Sequence, residues 1–325
     1  MDKTRRASRN LGLMAFIVGL SVLVQVLNPS FLTPENIADL TKNTAILAIL
    51  ALGMMLVIIT RGIDLSIGAT LALSGMIASQ TVAMWKDTHP VVAVLLGTLI
   101  GLLCGAAVGG LVSKGKVLPI IASLGLMNVF RGLTFLVSGG KWVSANQMPV
   151  SFKAIASSGF LGINTLVWIA VVIFVVGWWF VNWNRVGRQI YAVGSNPDSA
   201  QVSGINNDRI LLLVYTIMGG LSGLAGVLWV SKFASAQGDT ATGFELSVIA
   251  ACVLGGVSIA GGTGTISGIL LGALLLGILN NALPLVNVSP FWQTFIQGTI
   301  ILVAVLINAL VKRRGIRATM QKRKI

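Results

Sequence analysis

The side chains able to do chemistry stand singly inside runs of apolar residues. Asn128 and Arg131 lie one helical turn apart between Leu124 and Phe135. Asn280 and Asn281 are adjacent, and Gln293 and Gln297 are again one turn apart. An amide both donates and accepts hydrogen bonds, so such groups suit a path for a neutral, hydroxylated solute. They equally suit bonds between neighbouring helices, because polar groups in an apolar medium are costly and turn inward. Acids are scarce: nine Asp and Glu in 325 residues, with Asp39, Asp64 and Glu245 at the ends of apolar runs. That leaves little material for proton coupling or acid–base catalysis, and no nucleophile–base constellation points to an enzyme. His89 falls in a short polar loop, and Cys104 and Cys252 lack the spacing of a disulfide or metal site.

One pattern imitates a phosphate loop. Gly110, Gly115 and Lys116 fit its glycine and lysine positions, but Val117 stands where a magnesium-binding hydroxyl is required. The segment also joins two apolar runs instead of a strand and a helix. Lys114 and Lys116 read as anchors at a membrane surface, and no cofactor is expected on this chain.

The elements that must position these groups follow from solvent physics. Apolar residues make up 55% of the chain and charged residues 10%, with mean hydropathy +0.90. Soluble domains carry roughly 25% charged residues, so this chain expects lipid as its solvent. A helix needs about 20 apolar residues to cross the hydrocarbon. Runs of that kind lie near 11–27, 41–60, 65–84, 91–113, 117–137, 161–183, 210–230, 246–260, 266–286 and 291–311. The eighth is short and glycine-rich, so a broken or re-entrant helix is the alternative there. The expected fold is an all-α integral membrane protein of about ten transmembrane helices. It comprises a tail over 1–10, one membrane domain over 11–311 with a long polar loop at 184–209, and a basic tail over 312–325. The first run has no cleavage site after it and reads as an uncleaved helix.

The charge of +14 is distributed as a topology signal rather than as a nucleic-acid footprint. With ten spans and the N-terminus inside, seventeen Lys and Arg fall in inside segments and four outside. Both termini are therefore expected in the cytoplasm and the 138–160 loop outside. Gly97, Gly101, Gly105 and Gly109 line one face of the fourth run, where a neighbouring backbone can come close. Gly219 with Gly223, and Gly268 with Gly272, repeat that spacing. Asp64 follows a polar break and can cap the third run, with Ser66 or Gly68 as partner.

Three segments carry a resemblance to a known family. They are 52–68 (LGMMLVIITRGIDLSIG), 187–205 (GRQIYAVGSNPDSAQVSGI) and 245–264 (ELSVIAACVLGGVSIAGGTG), with a fourth match at 272–281 and 291–293. Together they resemble the ribose/arabinose-type permease family of ATP-binding-cassette sugar importers, in order over nearly the whole chain. The resemblance implies a multi-pass subunit in a bacterial cytoplasmic membrane, paired with a second permease subunit. It also implies ATPase subunits that bind ATP and Mg, and an extracytoplasmic sugar-binding protein. The cargo would be a pentose, a 6-deoxyhexose or a related sugar. A nucleoside, a sugar-derived signal molecule, or an ion-coupled secondary carrier are the rival readings.

The same resemblance makes 187–205 the ATPase-coupling loop, with Gly187, Arg188, Gly194, Asn196, Ala200 and Gly204 at its matched positions. Its short helix near 197–203 is expected to present Ser199, Ala200 and Ser203 to a groove on the ATPase. The sequence departs from the family pattern at Arg61, Ser195 and Pro284. The charge split is tested by thiol labelling of intact cells: Ser144→Cys should react from outside, and Ser199→Cys only after permeabilisation. The reverse pattern would invert the topology.

Overall fold

A computed structural model describes residues 3–289, 291–296, 298–299 and 302–303, with side chains from residue 9 onward. The chain runs α1 (Lys3–Leu27), a 3-10 turn (Pro29–Leu32), α2 (Pro34–Ile59), α3 (Ile67–Met84), α4 (Pro90–Ser113), α5 (Pro119–Ser138) and α6 (Val150–Ser157). A two-stranded hairpin follows, β1 (Gly159–Phe160) antiparallel to β2 (Ile163–Asn164), with Gly159 opposite Asn164. Then come α7 (Thr165–Trp183), α8 (Arg185–Ser195), α9 (Pro197–Val202), α10 (Asn207–Phe233), α11 (Phe244–Leu254) and α12 (Ile266–Leu285).

Helix starts are written in the sequence. Pro34, Pro90, Pro119 and Pro197 occupy the first helical turn, where the missing N–H costs nothing. Side chains of Thr33, Asn164, Asn184, Asn196, Asn206 and Thr265 accept from backbone N–H groups that would otherwise be orphaned. Among the described residues, eight helices are long and apolar enough to cross a membrane. The expected eighth span, 246–260, is not among them. Its helix stops at Leu254, and Gly256, Gly261 and Gly262 turn the chain with φ of 78°, 83° and 72°, values that favour glycine. This is the broken-helix alternative. The expected last span, 291–311, is helical where described, and Gln297, the rest of that run and the basic tail 312–325 lie outside the described residues.

The bundle is built around α2 and α10. From Thr44 to Ile59 every residue of α2 is buried. Such all-round apolarity marks a helix surrounded by protein. α4 has two contrasting faces. Leu95, Leu99 and Leu103 are exposed, as a lipid-facing stripe must be, whereas Gly97, Gly101 and Gly105 press against α10. A Cβ added at Gly101 would lie 2.2 Å from the Gly219 carbonyl, and one at Gly223 would lie 2.2 Å from the Gly97 carbonyl. The two ladders read from the sequence thus interlock with each other. Lipid tails give no hydrophobic drive for helices to associate, so this close packing holds the pair together. Gly268 and Gly272 make the same kind of contact, against the Gly255 and Ala251 carbonyls between α12 and α11.

Glycine is required wherever the added methyl would meet backbone, and not elsewhere on the same helix. Gly101→Ala should lower thermal stability in detergent by about 1–3 kcal/mol, the usual cost of overpacking. Gly110→Ala, with nothing within 4 Å of its Cβ position, should be neutral. Equal stability of the two variants would remove the ladder from the account of the fold.

Candidate functional site

The residue pattern around α11 makes two connected sites, one at each end of an 11-residue helix. At the α10 end, the chain leaves Phe233 and runs without regular structure through 234–243. Ala236 pairs with Val143 at the face carrying the 138–160 loop. The segment then descends, because Arg131, seven residues before the end of α5, donates from Nη1 to the carbonyls of Gly238 and Thr240, each at 2.8 Å. At 1.5 Å per residue, that places Arg131 about 10 Å below the helix end. Lower still, the Ala241 carbonyl lies 2.7 Å from where a Cβ on Gly68 would sit, in the first turn of α3. Non-helical backbone at this depth is tolerated only when it is buried in protein or lines a polar cavity. Arg131 supplies the donors that make it tolerable, with Glu245 and Asp239 as neighbouring negative charges.

At the other end of α11, a turn over 255–265 meets three further elements. Arg9 of α1 donates to the carbonyls of Gly256 (3.1 Å) and Gly255 (3.3 Å). This places a cation on the carbonyl end of a helix, where it is favoured. Gly262 donates its N–H to the Ile59 carbonyl at the end of α2 (2.9 Å), and the Tyr191 hydroxyl of α8 donates to the Gly264 carbonyl (2.9 Å). Gly194 closes the knot: a Cβ there would lie 1.8 Å from the Ile59 carbonyl. Arg61, with φ of 66°, turns its guanidinium back onto α8, donating from Nε to the Gly194 carbonyl (2.8 Å) and from Nη2 to the Ser195 carbonyl (2.6 Å). Two departures from the family pattern, Arg61 and Ser195, therefore meet in space.

The six positions read as a coupling loop divide by role. Gly187 and Gly194 are packing positions, since a Cβ on Gly187 would lie 2.3 Å from the Phe180 carbonyl. Arg188 donates to the Trp183 carbonyl (3.2 Å), Asn196 caps α9 by accepting from the Ser199 N–H (3.1 Å), and Gly204 ends the loop with φ of 80°. Ala200 differs from expectation. It is 4% exposed and faces the body of the same chain, so it cannot present itself to a partner. The six-residue α9 has one inward position, and Ala200 takes it, leaving Ser199, Gln201, Val202 and Ser203 outward. Val202 is 90% exposed.

The polar residues read as path candidates are not brought together. Asn128 is exposed on α5 and donates back to its own helix at the Leu124 carbonyl (3.0 Å), while Arg131 holds the descending segment. Asn281 on α12 exchanges amide hydrogen bonds with Asn36 of α2, at 2.9 and 2.8 Å, which is the helix-to-helix alternative. Asn280 is half-buried beside it, and Gln293 donates to the Val288 carbonyl (2.7 Å). α5 packs on α3 and α4, whereas α12 packs on α2, α11 and α1. Asp64 is buried and accepts from the Ser66 N–H (2.8 Å) and hydroxyl (2.6 Å), so Ser66 is its partner. Ser66 itself is the N-cap of α3 and no side chain caps the helix; Asp64 orders the turn that precedes it. A groove of about 620 Å³ lies between α2, α7 and α12, lined by residues such as Ala48, Phe174 and Leu270. It has no amide or charged side chain, so it suits a lipid chain or a helix better than a polar cargo. Sequence reasoning missed Arg9 and Arg61 as structural donors. In the sequence Arg9 counts only as a charge and Arg61 as a charge and a departure from the family pattern, and nothing in sequence distance links residue 9 to 256.

Comparison with known proteins agrees with the segments that carried the resemblance. Residues 36–305 match the family described as branched-chain amino acid transport system / permease component. The chain belongs to this family of multi-pass membrane permeases of the bacterial inner membrane. It is 41% identical over 298 residues to the ribose import permease protein RbsC of Escherichia coli K12, covering 91% of this chain and 92% of that one. It is 37% identical to the L-arabinose ABC transporter permease protein AraH of Azospirillum brasilense, covering 95% and 89%. It is 33% identical to the autoinducer 2 import system permease protein LsrC of Klebsiella pneumoniae, covering 96% and 89%. No solved structure matches it significantly.

If the Arg61 guanidinium ties the end of α2 to α8, Arg61→Ala should raise hydrogen exchange of 191–196 about tenfold or more, the equivalent of about one charged hydrogen bond. The α4–α10 pair should stay protected. Unchanged exchange at 191–196 would mean that the guanidinium does not hold the knot.

Proposed function

We propose that this chain is the membrane-spanning subunit of an ATP-binding-cassette importer for a monosaccharide, a pentose or a related sugar. It works as a pair with a second permease subunit by alternating access. ATP and magnesium are bound by separate ATPase subunits, and an extracytoplasmic binding protein delivers the sugar. The face carrying 185–202 is cytoplasmic, as the distribution of Lys and Arg favours.

The observation that carries this reading is the knot at Gly194. A permease without a phosphate loop of its own must receive motion by contact, and α8–α9 is the element whose outward face is free while its inward face is locked. The inward face grips both the end of α2 and the turn beyond α11. A push on α8 is therefore passed directly to the helix break. Sugar is favoured over the amino acid in the family description because the relatives named for ribose and arabinose match nine-tenths or more of this chain. The sugar-derived signal autoinducer 2, named for a relative at 33% identity, is the second reading.

Proteoliposomes holding the permease, its ATPase and its binding protein test the function. Ribose or arabinose uptake should require ATP, persist without an ion gradient and resist competition by leucine. Uptake that survives ATP depletion and collapses with the ion gradient would identify a secondary carrier instead. The contact is tested separately. Val202→Glu should leave a folded, monodisperse permease that no longer co-purifies the ATPase. Ala200→Glu should lower the yield of folded protein itself, because it buries an unpaired charge at a cost of several kcal/mol. Wild-type co-purification by Val202→Glu would move the contact elsewhere.

A further inference from the structure

The top of α10, where the descending segment begins, carries a constellation that the knot does not use, with Trp229 and Phe244 packed against the edge of the core. The Lys232 ammonium lies 4.9 Å from the centre of the Phe233 ring and donates to Oδ1 of Asn43 on α2. The Trp229 ring sits 4.9 Å from that of Phe233 and 5.1 Å from that of Phe244, the first residue of α11. One turn before Asn43, Asp39 pairs with Lys42 at 3.3 Å. Aromatic rings of α10 and α11 thus meet beside an ammonium and the amide of a third helix, α2.

An interfacial belt explains aromatic residues at a membrane surface, but it turns its lysines outward into water. Lys232 instead reaches across to another helix, and the ring beside it stays half exposed. This is also the point where α10 gives way to non-helical backbone. Below it, α11 begins as a half-helix whose capping residue, Gly243, offers no side chain. Helix breaks of this kind are where transporters place their cargo sites.

We propose that Trp229, Phe233, Phe244, Lys232 and Asn43 form a cradle for a polyhydroxylated solute at the mouth on the 138–160 face. The aromatic rings take the C–H faces of the sugar. The Lys232 ammonium donates to hydroxyl oxygens, and the Asn43 amide both donates to them and accepts from them. The cradle gives a residue-level address to the sugar reading above and rests on it.

The test uses the full complex in proteoliposomes, with labelled D-ribose and its C2 epimer D-arabinose, which differ in the orientation of one hydroxyl. Asn43→Ala and Lys232→Met should lower sugar uptake per ATP hydrolysed about tenfold, as loss of a hydroxyl-reading partner does. They should also change the ratio of ribose to arabinose uptake, with ATPase co-purification intact. An equal fall for both sugars, or no fall, would overturn the cradle, since a purely structural contact does not read one hydroxyl. A second measurement avoids the loss of a partner. Phe233→Cys, in a chain whose native Cys104 and Cys252 are buried, should react with a thiol reagent more slowly in ribose than in sucrose. Equal rates would count against the site. A wild-type complex that hydrolyses ATP yet moves neither pentose would overturn the sugar reading itself. Normal wild-type transport with unaltered variants would overturn only the cradle.

Discussion

Hydrocarbon offers no hydrogen bonds, so each backbone N–H and C=O at membrane depth must find its partner inside the protein. A chain made only of long helices meets that demand locally. This one interrupts a helix at 255–265 and runs without regular structure through 234–243. Both interruptions are supplied with donors by guanidinium groups from distant helices. Arg131 serves the carbonyls of Gly238 and Thr240, and Arg9 those of Gly255 and Gly256. Arg61 does the same for the end of α8. A guanidinium suits the task, since its donors fan out in a fixed plane and can serve two carbonyls at once.

The same solvent explains why glycine, rather than leucine, holds the bundle together. Buried apolar area confers little advantage when the alternative is lipid, so stability depends on how closely backbones approach. The α4–α10 ladder reaches that limit, and it fixes α10 as a rigid post. Against that post, α11 is short, capped by glycine at one end and held by arginine at the other. Gly268 and Gly272 pack α12 closely against it, so a displacement at either of its ends is passed to α12 as well.

The two sites consequently share one mechanical element. Displacement of α8 is felt at Gly262 and Gly264, and hence at the carbonyl end of α11. The opposite end of α11 bears Phe244, which packs on Trp229 near Lys232 and Asn43. In the proposed importer, motion received at the cytoplasmic face would reach the outer mouth through this helix of 11 residues, about 16 Å long.

Much of this was legible in the order of residues. Composition and run length determined an all-α membrane fold, and proline and capping residues marked where helices begin. The four-residue spacing of glycines identified the close-packed faces, and three ordered motifs identified the family. Those signals are local or periodic, so one chain read end to end carries them. Tertiary structure decided what distance along the chain conceals. It showed that Asn281 pairs with Asn36 and that Ala200 faces inward on a helix too short for its periodicity to be read. It also showed that Arg61 and Ser195, two unrelated-looking departures from the family pattern, are hydrogen-bond partners. A partner hundreds of residues away leaves no periodic trace, and only the packing of helices against one another brings it within 3 Å.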